Sequence, residues 1–473
     1  MRRTAPRRIP NFEEKVMKTH DAIVIGSGQG GVPLATNLAD QGWSVALIEK
    51  GEVGGSCINY GCTPTKTMIS SARMAHYARV APEFGIHPGE IKVDMAAVVA
   101  RKNEIVDSFR SGVLEQIDSS PNVTLYHGHG RFTAPHEVGI NGETLKSDKI
   151  FINTGTRPRF PALPGLDQVE VLTNRNIMDL QELPAHLIAL GGSYLGLEFG
   201  QMFRRLGSEV TVVEMSDRIA AREDAEVSDS LREALEAEGM KFHLGSTATK
   251  VEKTADGLEV TVKKKDGTTE RIEGTHLLMS IGQVPNSDDL GLDKAGIATD
   301  KNGYIQHNGK LETNIPGIWV LGDVKGGPAF THVSYDDYLV IFDNLVNGKN
   351  RTIDNRVVPY ALYTDPELGR FGLTEREARA KGYRLKIGSL PMSHIARAIE
   401  RGETRGLMKI VINADNDRIL GATILGADGG ELVQTLMTLM RANAPYTLFE
   451  NAMFIHPTLT EGFFALMANV EAR

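Results

Sequence analysis

Cys57 and Cys62 are the only cysteines in the 473-residue chain. They lie in one run, Gly54-Gly55-Ser56-Cys57-Ile58-Asn59-Tyr60-Gly61-Cys62-Thr63-Pro64-Thr65-Lys66. Two thiols build no disulfide framework and are too few for a structural zinc site. Placed five residues apart beside glycines, they point to a redox pair. The thiolate is the reactive form, and a helix N-terminus favours it. Pro64 suits the first turn of a helix running through Lys66 to Arg73, which puts Cys62 at its electropositive end. The alternative is a pair of buried small hydrophobes, which suits a glycine-flanked pair poorly. Near the C-terminus, His456-Pro457-Thr458-Leu459-Thr460-Glu461 supplies an imidazole and a carboxylate, the parts of an oriented general base. From spacing alone, a satisfied interface histidine is the better reading of that pair.

These groups need elements to hold them, and two segments share one plan. After Asp21, the apolar run Ala22–Ile25 meets Gly26-Ser27-Gly28-Gln29-Gly30-Gly31, a helical stretch to Gln41, and Val45–Glu49. Leu187–Leu190 meets Gly191-Gly192-Ser193-Tyr194-Leu195-Gly196, a helical stretch to Leu206, and Val210–Glu214. Each reads as buried strand, glycine turn, helix and second strand ending in an acid, the pattern of a nucleotide-binding βαβ unit. Gly26 allows the tight turn, Gly28 lets amides approach a pyrophosphate, and Gly31 lets helix and strand pack closely. The helix N-terminus then faces the phosphates, and Glu49 stands where a ribose hydroxyl would be bound. In the second unit Ser193 replaces the middle glycine, so its side chain must point away from the phosphates. Glu214 suits the free 2′-hydroxyl of NADH and repels the 2′-phosphate of NADPH. Arg218 and Arg222 follow closely and leave NADP(H) as the alternative.

Length suggests several domains. The expected class is α/β: two Rossmann-like nucleotide-binding domains and a C-terminal α+β domain. The expected boundaries are a disordered basic arm over 1–18, a first nucleotide domain over 19–160 resuming over 286–356, a second over 161–285, and a final domain over 357–473. A Pro-rich connection, Arg157–Gly165, and the run Gly282–Asn286 mark the internal borders. Asp94 to Asp118 has helical spacing, Val123 to Ile152 reads as short strands, and Leu407–Asn413 with Ile419–Leu425 reads as a hairpin. The net charge of −8 argues against nucleic acid or an anionic membrane as main partner. No apolar run approaches the ~20 residues that span a bilayer. The Arg-rich arm lacks the apolar core of a secretory signal, and so few thiols suit a reducing, cytoplasmic setting. No metal-ligand constellation is expected.

Together these segments resemble the pyridine nucleotide–disulfide oxidoreductases, a family that includes dihydrolipoamide dehydrogenase, glutathione reductase and mercuric reductase. The series Gly26–Gly31, Gly54–Lys66, Thr154-Gly155-Thr156, Gly191–Glu198, Gly322-Asp323 and His456–Glu461 carries the resemblance from about Asp21 onwards. It implies FAD at the first unit, held by Gly26, Ser27, Gly28, Gly31, Glu49 and Lys50. Gly55, Ser56, Lys66, Gly130, Thr154, Gly155, Thr156 and Asp323 would join them, with Ala329, Phe330, Thr331 and His332. It implies NAD(H) at the second, held by Gly191, Gly192, Ser193, Tyr194, Leu195, Gly196, Glu198, Glu214, Val251 and Gly282. Lys66 is implied to pair with Glu198, and His456–Pro457 to be cis. The final domain is implied to make a homodimer in which His456, oriented by Glu461, serves the Cys57 of the other copy. The implied chemistry carries electrons from NADH through flavin and Cys62 to Cys57, and on to a disulfide; the reverse oxidises a dithiol.

Among relatives, the Thr-Pro-Thr-Lys-Thr run is similar to mercuric-reductase-like proteins. The typical mercuric reductase delivers metal through a C-terminal cysteine pair, and this chain has no cysteine after Cys62. Glu214 stands where glutathione reductases use basic residues. A dihydrolipoamide-dehydrogenase-like enzyme acting on a small disulfide or a lipoyl protein is therefore the first expectation. A soft-metal or other disulfide reductase is the second, and a flavin-binding redox sensor the third.

Overall fold

The computed structural model describes residues 17–472. The chain divides into two compact units. The first comprises residues 17–57, 109–156 and 285–354. Its main sheet runs Ile318–Val320, Ile150–Ile152, Ala22–Ile25, Val45–Glu49, Val123–His127, with every pairing parallel. The strand Ala22–Ile25 is buried throughout, as an unbroken apolar run must be when helices or strands cover both faces of a parallel sheet. Its side chains alternate between two cores. Ala22 and Val24 meet Leu34, Leu38 and Ala35 of the helix Gly31–Asp40, while Ile23 and Ile25 meet Phe132, Val138 and Leu145.

A second sheet orders Met17–Thr19, Glu143–Lys146, Glu137–Ile140 and Arg131–Ala134. Met17 and Lys18, placed in the arm by composition, pair with Thr144 and Leu145. A strand of three exposed residues carries no periodic signal, so the sequence pattern missed it. The rest of the arm lies outside the described residues.

The second unit comprises residues 58–108, 157–284 and 355 onwards. Its parallel sheet orders Val171–Leu172, His276–Met279, His186–Leu190, Glu209–Val213 and Lys241–His243. The alternation recurs. Leu187 and Ala189 pack with Leu197, Met202 and Phe203 of the helix Tyr194–Leu206, and with Met68 and Ala72. Ile188 and Leu190 pack with Val251, Val260 and Val262 from the three antiparallel strands Ser246–Lys253, Leu258–Lys264 and Thr269–Gly274.

The C-terminal part of this unit holds a six-stranded antiparallel sheet. Within it Leu407–Asn413 and Arg418–Gly426 form the hairpin. Asp417, in the left-handed region at φ 58°, closes its turn. Among the described residues no helix is long and apolar enough to cross a membrane.

Candidate active site

The cysteine run backs onto the first glycine turn. The Gly54 N–H donates to the Ser27 carbonyl at 3.1 Å, and the Gln29 amide donates to the Gly54 carbonyl at 3.2 Å. Gly55 sits at φ +65°, and a Cβ there would lie 2.7 Å from the Gly28 Cα, so only glycine fits. A short helix, Gly55–Tyr60, carries Cys57, half-buried. After Gly61 the chain starts a second helix, Cys62–Val80, whose first residue is the exposed Cys62. Gly61, at the cap of that helix, brings no side chain of its own. Cys62 thus stands at the positive end of a helix, where thiolate is favoured. The helix runs seven residues past Arg73, the last residue of the expected helix.

One turn on, Lys66 Nζ donates to Glu198 Oε2 at 2.8 Å. Glu198 is 2% exposed, and its other oxygen accepts the Tyr363 N–H at 2.9 Å. The Tyr363 ring lies 4.5 Å from Nζ. Burial opposes the Lys66 charge, but the charge and hydrogen bond of Glu198, with Cys62 and Tyr363, outweigh it and hold the pKa above the ordinary lysine value. Lys66 is thus a fixed ammonium one turn below Cys62. No local pattern marks Tyr363, which meets the pair through the fold.

At the first glycine turn, a Cβ on Gly26 would meet the Asn153 carbonyl at 2.3 Å, and one on Gly31 the Gly26 carbonyl at 2.0 Å. The tight turn and close helix approach are therefore real constraints. Ser27 N–H and Oγ both donate to Glu49 Oε2, at 3.0 and 2.6 Å, and Gly51 N–H donates to Oε1 at 2.8 Å. Glu49 is fixed at its strand end, Lys50 and Ser56 are exposed, and Gly30, at the cap of the helix, brings no side chain of its own. This glycine-lined helix start fits a pyrophosphate.

Asn153, which sequence reasoning missed, accepts the Gly31 N–H at 3.0 Å and donates to the Leu321 carbonyl at 3.0 Å. Thr154 and Asn286 exchange two hydrogen bonds of 2.8 Å, and Thr156 Oγ1 donates to Asp323 Oδ2 at 3.4 Å. The strap Thr154-Gly155-Thr156 is thereby tied to Asp323 within the first unit. Gly155, at φ +67°, has no atom within 4 Å of where a Cβ would stand. Gly130 packs under Ile48. Ala329 and Phe330 lead into the helix Thr331–Leu345, with the Phe330 and His332 rings stacked at 5.4 Å.

At the second turn, Ser193 is exposed and extended (φ −99°, ψ −174°), and its side chain does not cap the helix. Tyr194 is exposed beside it, Leu195 is half-buried, and a Cβ on Gly196 would meet the Gly191 carbonyl at 2.0 Å. Glu214 accepts the Gly192 N–H at 2.6 Å and the Ser216 N–H at 2.7 Å. The carboxylate is pinned at the end of its strand, facing the turn where a ribose would lie. Arg218 is paired with Asp229. Val251 is wholly buried and its N–H donates to the Pro164 carbonyl at 2.9 Å, while Gly282 takes φ +110°.

In the last part of the chain, the His456–Pro457 bond is cis and His456 Nδ1 meets Glu461 Oε2 at 2.9 Å. The imidazole is 74% exposed, so the bond to Glu461 leaves Nε2 turned outward. Met453 and Ile455 beside it are almost wholly exposed. Among the described residues no group of three or more His, Cys, Asp or Glu stands ready to hold a metal.

The family profile described as pyridine nucleotide-disulphide oxidoreductase matches residues 20–337, and its dimerisation domain matches residues 358–466. A dihydrolipoyl dehydrogenase of Thermus scotoductus is 38% identical over 96% of this chain and 98% of its own. A mercuric reductase of Lysinibacillus sphaericus is 32% identical over 94% of this chain and 81% of its own. Among solved structures, the HOCl-induced flavoprotein disulfide reductase RclA from Escherichia coli superposes with a TM-score of 0.86 at 32% identity, over 95% of this chain and 99% of its own. A Cu(II) complex of the same protein gives the same score.

Proposed function

This chain belongs to the pyridine nucleotide-disulphide oxidoreductase family, and we propose that it passes electrons between NADH and a small disulfide through Cys57 and Cys62. The family's cofactors are FAD and NAD(P)H, and the chain is an oxidoreductase of sulfur groups. FAD supplies the two-electron relay between nicotinamide and sulfur. The observation that carries the proposal is Cys62 as the first residue of a long helix, with the Lys66–Glu198 ion pair one turn below it.

In the reducing direction the Cys57 thiolate attacks the substrate disulfide, forming a mixed disulfide and expelling one thiolate. Cys62 then attacks the Cys57 sulfur, expels the second thiolate and restores the Cys57–Cys62 disulfide. The partner subunit's His456, held by its own carboxylate neighbour, protonates the leaving thiolates. This assigns the chain a homodimer and fits a cytoplasmic, reducing setting. In this reading the nucleotide domains are 19–160 with 286–356 for FAD, and 161–285 for NADH. The dimerising domain is 357–473. NADH is preferred because Glu214 is pinned by two amides where a 2′-phosphate would sit.

Dihydrolipoamide is the first substrate to test, supported by the likeness to dihydrolipoyl dehydrogenase. Soft-metal reduction is the second reading, supported by the Cu(II) complex of the Escherichia coli relative. The experiment is a steady-state screen of dihydrolipoamide with NAD, and of glutathione disulfide, mercuric and cupric ions with each reduced nucleotide. Cys57→Ser should abolish disulfide turnover; lipoamide activity surviving in that variant would refute the assignment.

A further inference from the structure

The short helix Gly55–Tyr60 ends at Tyr60, and only Gly61 separates it from the helix that begins at Cys62. A helix end leaves carbonyls that need donors. The Tyr60 carbonyl finds one far away in sequence: Asn174 Nδ2 donates to it at 3.0 Å. The neighbouring residue, Arg175, lays its guanidinium 4.9 Å from the centre of the Tyr60 ring. A third contact comes from the same segment, where Thr65 Oγ1 donates to Met178 Sδ at 3.5 Å. Residues 174–178 therefore grip the chain on both sides of Cys62.

That segment is itself rigid. The Thr173 N–H donates to Asn176 Oδ1 at 2.7 Å, the Arg175 N–H to Thr173 Oγ1 at 3.2 Å, and the Ile177 N–H to the Thr173 carbonyl at 3.0 Å. Ile177 and Met178 are buried in the same core as Met68 of the Cys62 helix. The turn is anchored at its back and self-bonded, leaving the Asn174 and Arg175 side chains to face Tyr60. Arg175 remains exposed to solvent. It is a cation over the ring of a residue that lies between the two cysteines in the chain.

We propose that the Asn174–Arg175 turn is a positioning device for the redox loop, clamping Tyr60 and biasing the Cys57–Cys62 couple toward its dithiol form. Three physical terms act together. The amide-to-carbonyl bond fixes the inter-cysteine turn, the cation–π contact fixes the ring, and the guanidinium charge favours the thiolates that reduction creates. The proposal rests on the reading of Cys57 and Cys62 as the redox couple.

The test equilibrates the flavin-loaded protein in graded mixtures of reduced and oxidised dithiothreitol, alkylates it, and quantifies the Cys57 and Cys62 peptides by mass spectrometry. Arg175→Gln and Tyr60→Leu should each shift the equilibrium about three- to tenfold toward the disulfide, where tenfold corresponds to ~30 mV. Arg175→Lys and Tyr60→Phe keep charge or ring and should stay within about twofold of the parent protein. The double variant Arg175→Gln/Tyr60→Leu should shift no further than Arg175→Gln alone, because that change already removes both the ring contact and the charge. An unshifted Arg175→Gln, or a double variant whose shifts sum, overturns the proposal while leaving the couple intact. A parent protein in which Cys57 and Cys62 never oxidise to a disulfide together overturns the redox reading itself.

Discussion

Replacing Lys66 by Met should destabilise the protein more than replacing Glu198 by Gln, and the double change should cost less than the sum. Lys66→Met leaves a carboxylate that is 2% exposed with only the Tyr363 amide to satisfy it. Breaking a buried pair from that side costs about 3–5 kcal/mol. Glu198→Gln leaves instead an ammonium whose side chain is 33% exposed. It can hydrate, so the cost is nearer ~1–2 kcal/mol. Removing both charges eliminates the orphan, giving a coupling energy of about 2 kcal/mol. Urea unfolding of the flavin-loaded variants measures this, with coincident circular dichroism and fluorescence curves confirming one transition. The pH dependence has a defined sign. Because the folded Lys66 pKa is raised, its contribution is complete below the ordinary lysine value of ~10.4 and is lost as pH rises through the folded value. Glu198→Gln should flatten that alkaline loss. Additive single-variant costs, within about 0.5 kcal/mol, would show that Lys66 and Glu198 do not stabilise the fold as a pair.

Three further outcomes are expected. Glu214→Ala frees the Gly192 and Ser216 amides and removes the charge, so the NADPH to NADH ratio of kcat/KM should rise at least about tenfold, ~1.4 kcal/mol. Glu461→Ala should lower disulfide turnover by about a hundredfold without changing flavin content, since it removes the group that orients His456. Hydrogen bonds from Arg351, Asn347 and Lys349 hold the Asp343 carboxyl well below the usual carboxylate range. Its stabilisation is therefore present above about pH 4 and lost as pH falls further, and Asp343→Asn should flatten acid unfolding curves in that range.

The parallel sheets were legible because their strands are short apolar runs closed by glycine turns. Leu187–Leu190 followed by Gly191 has no other economical reading, and Glu214 could be singled out from its place at the end of the next strand. The hairpin around Asp415–Asp417 was legible for a similar reason, its turn residues standing between two apolar strands. The segment 94–118 showed its helix through apolar spacing. Other features have no local signature. Asn153 gains its role from the Gly31 amide across 122 residues of chain. Tyr363 reaches Glu198 through backbone, which leaves no mark on residue type. Asn174 and Arg175 look like a polar loop until the fold sets them against Tyr60. Cys57 and Cys62 stood out by number alone, but their unlike settings, one half-buried and one exposed at a helix start, required the fold.

Electron relay through Cys57 and Cys62 is tested by anaerobic titration of the flavin-loaded, oxidised protein with NADH, followed by rapid alkylation and mass spectrometry. Two equivalents of thiol should appear per chain, one each on Cys57 and Cys62; in Cys62→Ser, where Cys57 has no disulfide partner and is already a free thiol, NADH should release no further thiol. Flavin reduced by NADH while both cysteine peptides stay unalkylated would contradict it.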